Sequence, residues 1–161
     1  NRARRTCGRY QAPMATIQVL VRVDAERDGD LLDRIQAEAA LSRSGFEITA
    51  HSTAPTAEDP WSESARRGIR SADQVFFLCG EHSESAPAMG GELRMAQEER
   101  KPYLLVWGRR EAATQRPSIW MRSDTMYIWT SHILRIHTHV IARTTQRTPA
   151  AKAALPAGEA D

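Results

Sequence analysis

The sequence predicts an α/β fold in which an open, mostly parallel sheet is flanked by helices on both faces. Strand-like and helix-like segments alternate at least three times over about 90 residues, which is the pattern of parallel strands joined by crossover helices. One strand-like segment, Gln74–Cys79 (QVFFLC), is apolar throughout, as expected for a strand that is buried on both faces. The length of 161 residues suits a single domain with one core.

The first part of the predicted domain consists of two strands with a helix between them. Residues 16–23 (TIQVLVRV) are rich in β-branched side chains and predict the first strand. Apolar residues at helical spacing predict a helix over Leu31–Leu41, with Asp30 as its N-cap. Gly45 ends this helical segment, and the alternating run Phe46–Ser52 predicts the second strand.

The second part continues the alternation. A short helix is predicted from Trp61, although Gly68 weakens it. After the strand Gln74–Cys79 we expect a helix over about residues 87–100, because Pro87 suits a first helical turn. The apolar segment Pro102–Gly108 predicts the next strand, and residues 126–142 predict a strand followed by a terminal helix.

Three regions are predicted along the chain. Residues 1–13 form a disordered leader, residues 14–145 the α/β domain, and residues 146–161 a disordered tail rich in Ala, Pro and Thr. The leader holds four arginines and no acidic residue, so the rest of the chain has 18 basic and 20 acidic residues. We interpret the leader as sequence upstream of a start at Met14.

Composition argues against several classes of protein. The domain has no basic stripe interleaved with aromatic residues, so we expect no nucleic-acid partner. No apolar run approaches the roughly 20 residues that span a bilayer, so we expect no membrane partner. Cys7 and Cys79 lie far apart, which favours a reducing, cytoplasmic location without disulfides. The histidines have no metal-site spacing, since His137 and His139 would point apart on a helix.

The loops that follow the predicted strands are where a ligand is expected. In open parallel sheets, ligands bind beyond the carboxyl ends of the strands, which places loops 24–30, 51–60, 80–86 and 108–118 on one rim. Most candidate ligand-binding residues directly follow a strand, and one begins a helix: Asp24, His51, Ser52, Trp61, His82 and Ser83. Each of these residues also has an ordinary interpretation as a loop cap or a core side chain.

Glu92 is the candidate catalytic residue. It lies about one and a half turns into the predicted helix, beyond the reach of a macrodipole or capping role. It is three residues after Met89 and four before Ala96, so it borders the apolar side of that helix. Spacing alone favours an ordinary helical glutamate over a pocket carboxylate, and both interpretations remain open at this point.

Several segments together resemble a known family. They are a strand ending in His51 and Ser52, then Trp61, the runs IRSAD (69–73) and GEHS (80–83), the helical Glu92, the pattern A-x-x-x-x-K-P (96–102) and the segment MYIWT (126–130). In this order they are similar to the TIR-like domains of the Thoeris bacterial antiphage system, within the TIR superfamily. The resemblance covers about residues 16–130 and implies a three-layer, flavodoxin-like fold. The family often has Ser, Trp and Val where this chain has Ala86, Ala88 and Met89.

The resemblance implies an NAD-consuming enzyme. Related enzymes cleave the nicotinamide–ribose bond, and some release a cyclic or modified ADP-ribose signal that activates an effector. Glu92 matches the glutamate that this chemistry requires, because a fixed carboxylate stabilises the oxocarbenium-like ribose of the transition state. NAD would be a substrate, no further cofactor would be needed, and self-assembly through TIR-like surfaces would be expected.

Three hypotheses follow. The chain is an NAD-cleaving enzyme, a non-catalytic module that senses a nucleotide or binds a protein partner, or a glycosyl- or deoxyribosyl-transfer enzyme. The first hypothesis requires the carboxylate of Glu92 to face a ligand pocket. A Glu92 side chain buried in a salt bridge would therefore count against it.

Overall fold

The computed structural model describes residues 15–41, 43–50, 61–109, 114, 116–117 and 120–146. Within these residues, five parallel strands form one sheet and four α-helices accompany it. The elements are β1 (Ile17–Arg22), α1 (Gly29–Ala39), β2 (Phe46–Ala50), α2 (Trp61–Ser71), β3 (Gln74–Cys79), α3 (Pro87–Glu98), β4 (Tyr103–Trp107), β5 (Met126–Ile128) and α4 (Ser131–Gln146). The predicted α/β fold with a parallel sheet is confirmed.

The strand order identifies the kind of α/β sheet. The strands lie in the order β2-β1-β3-β4-β5, which is the flavodoxin-like doubly wound arrangement. The chain places β2 on one side of β1 and then crosses over to place β3, β4 and β5 on the other side of β1. The strand order therefore reverses between β1 and β3, which is the topological switch point at which sheets of this kind bind their ligands.

Two apolar clusters cover the two faces of the sheet, which gives three layers. On one face, β-strand residues such as Val19 and Phe76 pack with α1 and α4 through Ile35 and Leu134. On the other face, Leu20, Phe77 and their neighbours pack with α2 and α3. Alternate residues of β1 and β3 thus serve opposite clusters, which explains why both strands are apolar along their length.

The helix α1 begins earlier than the sequence predicted. The backbone N–H of Leu31 donates to the carbonyl of Asp28 at 2.9 Å, so the first turn closes on Asp28, which holds the N-cap position. Asp30 therefore lies inside the first turn, and its prediction as the N-cap was wrong. Its carboxylate points outward to an arginine of another loop instead.

The end of α3 and the pattern A-x-x-x-x-K-P have a structural explanation. Arg100 adopts a left-handed backbone conformation with φ of 52°, and Lys101 N–H donates to the carbonyl of Ala96 at 2.9 Å. This pattern is a Schellman motif, which stops the helix. The Lys101 ammonium then donates to the carbonyls of Arg70 (3.1 Å) and Ala72 (2.6 Å) at the end of α2. The motif therefore joins the ends of two neighbouring helices.

The predicted leader (1–13) lies outside the described residues, and so does the predicted tail except for Gln146, which ends α4. Among the residues that the structure does describe, no helix combines the length and the apolar character needed to cross a bilayer.

Candidate functional site at the carboxyl edge of the sheet

Three of the four predicted rim loops meet at the carboxyl edge of the sheet. The backbone N–H of Gly108, after β4, donates to the carbonyl of Cys79 at the end of β3 (2.9 Å). Arg109 reaches back to the loop before α1, where its guanidinium lies 2.8 Å from Asp28 Oδ1 and 2.6 Å from Asp30 Oδ2. The fourth loop, 51–60, lies outside the described residues.

Two glycines allow these loops to approach one another closely. A Cβ atom on Gly80 would overlap the carboxylate of Asp28, and a Cβ atom on Gly108 would lie 2.7 Å from the carbonyl oxygen of Cys79. Side chains are therefore excluded at the first position after β3 and after β4. The loops approach this closely because the side chain of Asp28 at Gly80, and the side chain of Leu31 with the Cys79 carbonyl at Gly108, fill the space that a Cβ atom would occupy.

Asp28 is the acidic residue at the centre of this junction. Its side chain is almost fully buried, and its Oδ1 accepts a hydrogen bond from Arg109. Its Oδ2 faces Gly80 and has no hydrogen-bond partner within the described part of the chain. The charge of Asp28 is balanced by Arg109. The contacts of Asp28 with Arg109 and with Gly80 form a clasp that connects the loops after β1, β3 and β4.

Glu92 and Arg22 form the second feature of this edge. Arg22 is the last residue of β1, and Glu92 lies on α3, the helix that follows β3. Arg22 Nε is 2.8 Å from Glu92 Oε2, and the two side chains are only 8% and 11% exposed. The pair therefore sits at the carboxyl end of β1, beside β3, which is where the strand order reverses.

Burial dominates the electrostatics of this pair. It raises the pKa of Glu92 to about 7, and the nearby Arg22 charge only partly opposes the rise. Burial likewise lowers the pKa of Arg22, against the attraction of Glu92. The 2.8 Å approach of Nε to Oε2 does not meet the geometry of a hydrogen bond, because Arg22 Nε has no partner within the described residues. The contact is thus a close approach of two charges rather than a directed N–H···O bond.

The burial of Glu92 in a salt bridge counts against the catalytic hypothesis. That hypothesis requires a carboxylate that faces a ligand pocket, whereas here the nearest charged neighbour is a protein side chain. A carboxyl with a pKa near neutrality is nevertheless the kind of group that clusters at functional sites. The catalytic role of Glu92 remains a prediction.

The other predicted site residues have different surroundings. Ser83 is buried in a 3-10 turn before α3, and its hydroxyl accepts the N–H of Gly80 at 2.8 Å, which is a structural role. His82 is exposed, and its carbonyl accepts hydrogen bonds from Ser85. Asp24 Oδ2 lies 3.7 Å from the guanidinium of Arg27.

The three remaining predicted residues lie wholly or partly outside the described structure. Trp61 begins α2, and its side chain lies outside what the structure describes, as do His51 and Ser52. The structure therefore brings Glu92 to the switch point, while contacts between it and the other six candidates stay predictions.

Sequence reasoning missed Arg22, Asp28 and Arg109. For Arg22 a signal was present, because a charged residue inside the apolar run VLVRV is unusual for a buried strand. Asp28 and Arg109 carried no such signal, since both stand in polar loops where charged residues are common. Among the described residues, no group of three or more His, Cys, Asp or Glu side chains could hold a metal ion.

Comparisons with known proteins identify no family for this chain. No protein-family model matches the chain, and no curated protein matches it. Among solved structures, the crystal structure of a 3-dehydroquinate dehydratase-like protein from Bifidobacterium longum is similar, with 15% identity and a TM-score of 0.44. The similarity covers 83% of this chain and 99% of that one, and likeness at this level carries no argument about function. The resemblance to TIR-like domains remains a prediction from the sequence.

Replacing Gly80 with alanine is expected to destabilise the fold by at least about 2 kcal/mol, because the new methyl group would overlap the buried carboxylate of Asp28. The free energy of unfolding in urea measures this effect. Gly68→Ala is the matched control, since a Cβ there would meet its nearest atoms at 3.8 Å. That control should be neutral or stabilise by up to about 1 kcal/mol. Equal stability of the two variants would contradict the packing described for the junction.

The ionisation of Glu92 should make the fold less stable as pH rises. Its pKa is raised from 4.5 to about 7 in the folded state, so its stabilising contribution is complete below about pH 4.5 and is lost as pH rises through about 7. Relative to Glu92→Gln, the wild-type protein should lose about 3 kcal/mol of unfolding free energy between about pH 4 and pH 8. Urea denaturation of both proteins across this range is the measurement. Parallel pH profiles would show that Glu92 titrates normally.

Proposed function

We propose that the chain is an enzyme that cleaves the nicotinamide–ribose bond of NAD, with Glu92 as the catalytic residue. The observation that supports this proposal is the position of a buried carboxyl group at the switch point of a doubly wound sheet, beside the end of β1. The carboxyl ends of the strands at a switch point are where this class of fold binds its ligands. The choice of NAD and of a signalling role in antiphage defence rests on the sequence resemblance alone.

The proposed chemistry needs Glu92 in its ionised form. Departure of nicotinamide leaves positive charge on the ribose, and a carboxylate beside it stabilises the transition state more than the ground state. A pKa of about 7 means that roughly half of the molecules carry this charge at neutral pH. Activity at the site would accordingly rise with pH across the neutral range.

The substrate must reach Glu92 without breaking its ion pair with Arg22. Breaking a buried pair by removing one partner typically costs about 3–5 kcal/mol, because the other charge is left without compensation. A substrate that presents both ribose hydroxyls and phosphate groups can add hydrogen bonds to the carboxylate and to the guanidinium while the two stay paired. A dinucleotide has both kinds of group.

The second candidate is a non-catalytic module that senses a nucleotide or binds a protein partner. The observation that favours it is the same salt bridge, since the charged neighbour of Glu92 is already a protein side chain, Arg22, at 2.8 Å. In that case the pair is a fixed connection between β1 and α3, and the carboxyl edge serves binding alone.

Substituting Glu92 with glutamine should abolish nicotinamide release from NAD, a loss of at least about 100-fold, because the neutral amide cannot stabilise the developing charge. Purified protein is incubated with NAD, with and without phage lysate, and nicotinamide is quantified by chromatography. Circular dichroism establishes that the variant is folded. The matched control is Glu98→Gln on the same helix, whose carboxylate is half-exposed and pairs with Arg66.

The possible outcomes separate the hypotheses. Loss of turnover in Glu92→Gln with retained turnover in Glu98→Gln supports the enzyme. Unchanged turnover in Glu92→Gln would refute the assignment of the catalytic residue. An inert wild-type protein that still binds NAD favours the sensing module, and turnover of free nucleosides in place of NAD favours a glycosyl- or deoxyribosyl-transfer enzyme.

A further inference from the structure

Arg22 occupies an unusual place for a charged residue. Its neighbours along the chain, Leu20, Val21 and Val23, are almost fully buried, and Arg22 itself pairs in register with Phe77 of β3. It shares the face of the sheet used by Leu20, against α2 and α3. A guanidinium in this position is part of the interior rather than a surface group that happens to reach Glu92.

The packing leaves room for this side chain. On α2, a Cβ atom at Gly68 would lie 4.0 Å from Arg22 Nη2 and 3.8 Å from the methyl groups of Leu20. The guanidinium therefore lies where β1, α2 and α3 meet. Replacing an ion pair at such a point by well-packed apolar residues of similar volume often stabilises the fold or leaves its stability unchanged. The presence of the pair is therefore explained by a role in the chemistry of the site and not by a contribution to stability.

The other charged groups near Glu92 are directed elsewhere. From α2, Arg66 and Arg70 form ion pairs with Glu99, beyond the last turn of α3. On α3 itself, Arg94 is exposed and lies 4.0 Å from Glu98.

The segments before α3 add no charge that acts on this carboxyl group. His82 and Glu84 are exposed there, and burial raises the pKa of the Cys79 thiol of β3 to about 12, which keeps it neutral. Among the described residues, Arg22 is thus the charge that acts on Glu92.

We propose that Arg22 is the positioning residue of this site, and that its guanidinium holds the carboxylate of Glu92 in place and in its ionised form. The inference rests on the proposed function, because an ionised carboxylate is what NAD cleavage requires. Arg22 acts through Glu92, so its removal should change the pH at which the enzyme works. A residue that merely packs would lower activity equally at every pH.

The predicted effect of Arg22→Gln follows from the two opposed influences on the pKa of Glu92, which are burial and the charge of Arg22. Burial favours the neutral acid and Arg22 opposes it, so the variant should hold Glu92 protonated to higher pH. The acidic limb of the pH profile for nicotinamide release should move upward by at least one pH unit. Activity should fall at least about fivefold at pH 7 and recover most of its wild-type value by about pH 9. Arg22→Lys keeps the positive charge and should restore most of the wild-type profile.

Arg94→Gln is the matched control for charge. It removes an arginine two residues along the chain from Glu92, but that side chain is exposed and not in contact with the pair. Its pH profile should coincide with that of the wild type. A profile of Arg22→Gln that is lowered equally at all pH values, or one that also shifts in Arg94→Gln, would overturn the inference.

A second measurement makes the inference independent of turnover. Protein labelled with ¹³C at glutamate carboxyl carbons is titrated by NMR, and the Glu92 signal is assigned from its absence in Glu92→Gln. The midpoint of Glu92 should rise by at least one pH unit in Arg22→Gln and stay within a few tenths of a unit in Arg94→Gln. If Arg22→Gln fails to fold, Arg22→Met fills the same space with an apolar chain and is titrated instead.

The NMR titration and the activity measurement test different claims. An unmoved midpoint in the Arg22 variants overturns the role of Arg22, whatever the activity of the protein. A wild-type protein that releases no nicotinamide at any pH refutes the proposed function, and the NMR titration still decides whether Arg22 controls the ionisation of Glu92.

Discussion

The ion pair between Arg22 and Glu92 is the interaction on which the properties of the carboxyl edge depend. It joins the end of β1 to the helix after β3 at the point where the strand order reverses. Neither charge is well compensated, because burial outweighs the mutual attraction and moves both groups toward neutrality. The pKa of a group balanced in this way changes strongly when a ligand adds or removes a charge nearby.

The glycines after β3 and β4 form the second constraint. They let the loops after β1, β3 and β4 pack against one another through backbone contacts and through Arg109, which bridges Asp28 and Asp30. This clasp connects the loops on one side of the carboxyl edge, while the ion pair lies at the end of β1 beside β3.

The sequence predicted the fold well because the apolar periodicities of β3, α3 and β4 report directly on burial. Each of these segments was located within two residues of its observed bounds. The start of α1 was misplaced because several acidic residues in the loop before it are equally suitable caps, and only the backbone bond from Leu31 to Asp28 decides between them.

The candidate site was less predictable, since it depends on contacts between distant residues. Glu92 could be singled out by its place at the border of an apolar stripe. Its partner Arg22 lies 70 positions earlier (92 − 22), and no local pattern links the two. The resemblance named a glutamate and a chemistry, whereas the buried salt bridge comes from the packing of α2 and α3 against β1, which single-sequence patterns do not encode.

The enzyme and the nucleotide-sensing form of the binding module share one requirement, which is that a nucleotide binds at the carboxyl edge beside Glu92. The most direct test is an NMR titration of ¹⁵N-labelled protein with an NAD analogue whose nicotinamide–ribose bond resists cleavage. Saturable shifts of the amide signals of Arg22, Gly80 and Glu92 are the predicted result. Shifts confined to the opposite edge, around Gly45 and Lys101, or no shifts at millimolar analogue, would contradict a ligand site at the switch point.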